Sequence, residues 1–140
     1  AGCAPGTVAR HGVRFAGPGD DDGVLWSVLV VDDHAEFRTS VRALLVADGF
    51  DVVGEAGTGA EALDAVGRLS PDVVLLDVKL PDVDGIAVAE SVALLPDPPQ
   101  VVLVSSRDRA AYGSRLLNAP VRGFLAKSDV SGASLRRLLG

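Results

Sequence analysis

Three short runs are apolar at every position: Val28-Leu29-Val30-Val31, Val73-Val74-Leu75-Leu76 and Val101-Val102-Leu103-Val104. Each has the length of a strand, and unbroken apolarity is what burial on both faces of a parallel sheet requires. Gly123-Phe124-Leu125-Ala126 is a fourth strand-like segment, and Asp51 to Glu55 reads as a further short one. Helical spacing fills the gaps. A first helix is predicted from near His34 to near Asp48, with Phe37, Val41, Leu44 and Leu45 on one stripe and Gly49 at its end. Ala60, Leu63, Val66 and Leu69 give the second helix its face, and Ser70-Pro71 stops it. Ile86, Ala89, Val92 and Ala93 mark the third, which the Pro96–Pro99 stretch ends. The fourth, about Arg107 to Asn118, is the weakest, since Gly113 interrupts it and only Leu116 and Leu117 are large aliphatics. The last runs from near Ser131 to Leu139 on Leu135, Leu138 and Leu139. Strands alternating with helices predict an α/β fold, a doubly wound five-stranded parallel sheet with five helices.

The residues just beyond each apolar run carry the chemistry. The first run ends in Asp32 and Asp33, the second in Asp77, the third in Ser105 and Ser106, and Gly123–Ala126 in Lys127. In open α/β sheets, ligands bind in the crevice beyond the carboxyl ends of the strands. One edge of one sheet therefore receives an acid pair, an acid, a hydroxyl and a lysine, a set suited to a divalent cation and a phosphoryl group. Two like charges ~4 Å apart repel by roughly 4 kcal/mol at an effective dielectric near 20, so such acids protonate or recruit a cation. Asp32 and Asp33 could also serve as helix N-caps.

In order, VVDD, LLDVKLPDVDG, VVLVSS and GFLAK resemble the receiver domain of two-component response regulators, over roughly Trp26 to Leu139. The resemblance implies strand order 2-1-3-4-5 and makes Asp77 the acceptor of a phosphoryl group from a histidine kinase or histidine phosphotransfer protein. It implies Mg²⁺ (or Mn²⁺) bound by Asp33, Asp77 and the backbone carbonyl of Lys79, with Asp32 acting through water. Lys127 supplies a second positive charge, and Ser105 offers a hydroxyl to a phosphoryl oxygen. Phe124 stands where the family carries its switch aromatic, often a tyrosine. It reads as readily as a core phenylalanine, and without a hydroxyl it could switch only by packing. Lys79 and Arg107 occupy positions that flank the phosphoryl group and tune its hydrolysis. Ser106 replaces the more usual alanine, and the last helix looks about a turn short. Pro81 and Gly85 read as turn chemistry, with Gly85 opening the third helix.

Composition narrows the picture further. At 140 residues the length suits one domain with a single sizeable core. Residues 1–24 hold six glycines, Pro5, Pro18 and Asp20-Asp21-Asp22, and read as a flexible extension before a receiver domain spanning 25–140. The absence of Met suggests a processed or cut start. A single cysteine, Cys3, excludes an internal disulfide framework and fits a reduced cytoplasmic compartment. No apolar stretch approaches a membrane span. A net charge of −6 argues against direct nucleic-acid binding. The charge is uneven: residues 101–140 carry a net +5. That basic quarter is either a partner surface, where a homodimer could form, or a solvated face.

Competing sites fare poorly. A phosphatase of the haloacid-dehalogenase type wants an acid two residues after its nucleophile, where this chain has Lys79. A calcium loop over Asp82–Gly85 fails in register, with Leu80 and Ser91 where acid ligands belong. Gly54, Gly57 and Gly59 do not form a dinucleotide fingerprint. The non-catalytic rival is a phosphorylation-independent interaction module. The expected function is a phosphorylation-controlled switch acting through the face of the fourth helix, fifth strand and fifth helix. The chain would be either a single-domain regulator or the excised receiver of a longer DNA-binding regulator.

Overall fold

The computed structural model describes residues 25–106 and 112–139, so the expected N-terminal extension and Arg107 lie outside the described residues. Five strands, β1 (Ser27–Val31), β2 (Asp51–Ala56), β3 (Val73–Asp77), β4 (Gln100–Ser105) and β5 (Gly123–Ala126), form one parallel sheet in the order β2-β1-β3-β4-β5. Helices α1 (Ala35–Ala47), α2 (Gly59–Leu69), α3 (Gly85–Ala93), α4 (Ser114–Leu117) and α5 (Gly132–Leu139) alternate with them. The sheet order is the one expected, and it sets β1 and β3 side by side at its centre.

Alternation divides the buried strand residues between two cores. Leu29, Val31, Val74, Leu76 and Leu103 face α2 and α3, while Val28, Val30, Val73, Leu75, Val102 and Val104 face α1 and α5. Every residue of β1 and β3 is buried, which accounts for their unbroken apolarity. Each fully buried Leu or Val contributes about 1.5–3 kcal/mol relative to exposure, so these central strands form a stiff platform. Among the described residues, no helix is long and apolar enough to cross a membrane.

Helix boundaries reflect local chemistry. Thr58 caps α2 by accepting from the Glu61 N–H, and Ser70 ends it in the left-handed region just before Pro71. Asp84 caps α3 by accepting from the Ile86 N–H at 2.7 Å. Helix α5 opens on a reciprocal pair: Ser134 N–H donates to Ser131 Oγ, and Ser131 N–H to Ser134 Oγ. Its N-terminus also borrows an acceptor from far away, because Gly132 N–H donates to Asp48 Oδ2 at 2.9 Å.

The face of α2 differs in phase from the one expected, while those of α1 and α3 keep most of their expected residues, Val41, Leu45, Ile86, Ala89 and Val92, buried. Helix α2 buries Gly59, Ala62, Ala65 and Val66, leaving Ala60 and Leu63 exposed and Leu69 half-buried. Small residues let α2 lie close to the sheet, and a stripe drawn through its largest aliphatics misses them. In α1 Leu44 is exposed while Val41 and Leu45 are buried. In α3 Val88 is buried and Ala93 exposed. Helix α4 has only four residues, led by Gly113 with φ +57°. Among the described residues, the expected helix from Arg107 is realised only in its last turn.

Candidate functional site

The carboxyl ends of β1, β3, β4 and β5 surround a cleft of about 280 Å³, lined by Asp33, Asp77, Lys79, Ser105, Tyr112 and Lys127 among others. Strand register brings these groups together. Val31 pairs with Leu76, so Asp32 and Asp77 emerge on adjacent strands. Ser105 pairs with Ala126, which sets Lys127 one residue beyond it. The loop after β3 is held tight at Gly85, whose N–H donates to the Val78 carbonyl at 2.7 Å. A Cβ there would overlap the Asp77 carbonyl oxygen and stand 2.8 Å from Val78 Cα, which only glycine avoids.

Asp32 is fully buried and Asp77 nearly so, while Asp33 is partly exposed. Asp32 Oδ1 accepts from the His34 N–H at 2.8 Å, which starts α1, and its Oδ2 faces the Lys127 ammonium at 2.5 Å. Lys127 Nζ also lies 3.5 Å from Asp77 Oδ2 and stands over the Phe37 ring, 4.6 Å from its centroid. Asp77 Oδ1 accepts from the Lys79 N–H at 3.2 Å. Burial, then the charge of Asp32, pushes the Asp77 carboxyl up to about 6, against the pull of the Lys79 N–H and of Lys127. Burial alone would lower the Lys127 pKa. Its hydrogen bond to Asp32 and the charges of Asp77 and Asp32 outweigh that, so its ammonium sits above its ordinary value.

Three expected acids therefore converge, with His34 added to them. His34 Nδ1 lies 3.1 Å from both Asp32 Oδ1 and Asp33 Oδ1. One ligand atom from each of Asp32, Asp33, His34 and Asp77 falls within 4.8 Å of all the others. This oxygen-rich, net-anionic set fits a hard divalent cation, and the single imidazole is better tolerated by Mn²⁺ than by Mg²⁺. Lys79 lines the cleft with an exposed side chain.

The hydroxyl side of the cleft holds a residue the sequence did not single out. Ser105 Oγ lies 2.5 Å from the Tyr112 hydroxyl, and the Tyr112 ring packs on Phe124 with centroids 6.1 Å apart, tilted by 57°. Phe124 is half-buried against the α2/α3 core. Asp82 and Asp84, considered only as a calcium loop, are helix caps. Asp82 crosses to α2 and accepts from the N–H groups of Gly59 and Ala60 at 2.8 and 3.0 Å. Asp84 caps α3 with one oxygen and pairs with Arg115 of α4 through the other. Tandem acids before a helical stripe were the available signal for Asp84. Nothing local could have indicated Asp82, whose partners lie over twenty residues away.

Known proteins resemble this chain in sequence and in shape. Residues 28–137 match the family model of the response regulator receiver domain. NarL, a probable transcriptional regulatory protein of Mycobacterium tuberculosis, is 39% identical over 113 residues, covering 80% of this chain and 52% of the relative. The response regulator GacA of Pseudomonas viridiflava is 37% identical over 113 residues, covering 80% of this chain and 51% of its own length. This chain thus spans about half the length of these curated relatives. Among solved structures, the signal receiver domain of M. tuberculosis NarL superimposes with a TM-score of 0.71 at 39% identity, over 82% of this chain and 97% of that one. A CheY-like receiver domain from Methanospirillum hungatei gives 0.70 at 26% identity, over 81% and 89%. A fold, a strand order and a sequence match that agree over the same segment leave one assignment: the chain belongs to the response regulator receiver domain family.

Proposed function

We propose that this receiver domain accepts a phosphoryl group on Asp77 from a histidine kinase or histidine phosphotransfer protein. The observation that carries the reading is the buried Asp77 carboxylate, facing Lys127 at 3.5 Å in an acid-lined cleft that Ser105 also lines. Asp77 attacks phosphorus through a carboxylate oxygen. An acyl phosphate forms as the bond from phosphorus to the donor's imidazole nitrogen breaks, and that nitrogen keeps the electron pair. Lys127 neutralises one phosphoryl charge, and Ser105 donates its hydroxyl proton to a phosphoryl oxygen. Asp33, Asp77 and the Lys79 carbonyl would hold Mg²⁺ or Mn²⁺. Asp32, its oxygens already engaged by His34 and Lys127, would act through water. When bound, the cation supplies charge neutralisation at the phosphoryl oxygens.

Because NarL is named a probable transcriptional regulatory protein and this chain spans about half its length, the output we infer is control of a DNA-binding effector elsewhere in a longer protein. Basic residues around α4, β5 and α5, among them Arg115, Arg122 and Arg137, favour that side as the surface for an effector or a second copy.

Incubation with acetyl phosphate and Mg²⁺ should add one phosphoryl mass, labile to hydroxylamine, and Asp77→Asn should abolish it. Full labelling of that variant, after excluding Ser105 as a substitute acceptor, would remove Asp77 from the role.

A further inference from the structure

Ser105 and Tyr112 place two hydroxyls 2.5 Å apart at the wall of the cleft, and either oxygen can be the donor. That ambiguity ends once a phosphoryl group occupies the site. Phosphoryl oxygens only accept, so Ser105 must turn its one proton toward them and can then only accept from Tyr112. Tyr112, with a single proton of its own, is left to donate to Ser105 Oγ. Hydrogen bonds aligned head to tail in this way polarise and strengthen one another.

We propose that Tyr112 is a positioning residue for phosphoryl recognition: its hydroxyl holds Ser105 for donation to the phosphoryl group and passes the site's state to Phe124 and α4. The inference rests on the phosphoacceptor reading above. Phe124 offers only a ring at the fifth strand, and Tyr112 brings a hydroxyl to the same spot from the start of the fourth-helix segment, with its ring against Phe124. One residue thereby joins the hydroxyl that meets the phosphate to the aromatic that packs beneath α4. The same segment is fastened at a second point, where Arg115 pairs with Asp84, the cap of α3. Gly113, at φ +57° between Tyr112 and α4, is the backbone joint on which a change in Tyr112 reaches the helix.

The test is a thermodynamic cycle on Ser105→Ala and Tyr112→Phe, read by calorimetric titration with beryllofluoride in the presence of Mg²⁺. Phenylalanine keeps the ring on Phe124 and deletes only the hydroxyl. Tyr112→Phe should weaken beryllofluoride binding about fivefold when Ser105 is present, the scale of one neutral hydrogen bond. It should have no effect in the Ser105→Ala background, because the relay is already cut. A purely structural role for Tyr112 predicts the same loss in both backgrounds, and that result overturns the proposal. Tyr112 is the one tyrosine of the chain, so 3-fluorotyrosine labelling gives a single protein ¹⁹F resonance, to be read apart from those of beryllofluoride and fluoride. Its shift on adding beryllofluoride should disappear in Ser105→Ala, and an unchanged shift also counts against the relay. Failure of the unsubstituted protein to bind beryllofluoride at all would instead overturn the phosphoacceptor reading, and the relay with it.

Discussion

Lys127 stands nearer to Asp32 than to Asp77, with Nζ at 2.5 Å from one carboxylate and 3.5 Å from the other. The ammonium thus neutralises the more deeply buried acid while remaining within reach of the proposed acceptor. Without it, two buried carboxylates would face each other uncompensated.

Lys127→Ala should therefore destabilise the metal-free protein by about 3 kcal/mol, the cost of stranding a buried charge. Urea unfolding at pH 7.5 with chelator measures this. Added Mg²⁺ should recover part of the loss by supplying the missing positive charge. A variant as stable as the parent would mean that water already screens the pair.

Asp77 gives a dependence on pH whose sign can be worked out. Its native pKa, about 6, exceeds the ordinary 3.8, so the ionised carboxylate disfavours the fold. The penalty is absent below about pH 4, grows through pH 6 and is complete above it, reaching up to about 3 kcal/mol. Asp77→Asn should accordingly raise the melting temperature in metal-free buffer at pH 8 by several degrees, with the gain shrinking toward pH 5. A gain that does not vary with pH would point to packing rather than charge.

Asp33 is the most exposed of the clustered acids, which suits direct metal binding. Asp33→Ala should reduce Mg²⁺ affinity at least tenfold by calorimetry and slow phosphorylation in parallel, since a ligand and a charge are lost together. Equal affinity in the two proteins would relocate the metal.

Gly85→Ala tests the backbone beneath the site. The new methyl would collide with the Asp77 carbonyl and crowd Val78 Cα, both rigid main-chain atoms. Loss of at least about 2 kcal/mol in urea unfolding is expected, along with impaired phosphorylation, because relief requires moving the strand that carries Asp77. Wild-type stability would show that the loop after β3 yields easily.

The strands and their terminal chemistry were legible in the sequence because both are local. Val28–Val31 and Val73–Leu76 are buried on two sides, so apolarity alone outlines them, and Asp32 and Asp77 come directly after them, while Lys127 follows the half-buried β5. Helical faces were less legible. In α2 the buried stripe runs through Gly59, Ala62 and Ala65, whose smallness is a packing requirement and carries little hydropathy signal. Tyr112 escaped notice for another reason. Its partners, Ser105 and Phe124, lie on neighbouring strands, and no spacing rule links a tyrosine ahead of a broken helix to either. His34 likewise reads as the start of a helix until the fold turns it over Asp32 and Asp33.

Asp48 closes the far side of the molecule by accepting from Gly132, while Arg136 donates to its backbone carbonyl. The bonds join positions 84 and 88 residues apart. A helix of eight residues is too short to persist in water by itself, and this one takes part of its capping from the end of the first helix. Its stability is therefore tied to the docking of that first helix. Damage at the end of the first helix would then be felt in the last one. Protease sensitivity near Arg136 and Arg137 becomes a gauge of the integrity of the whole domain.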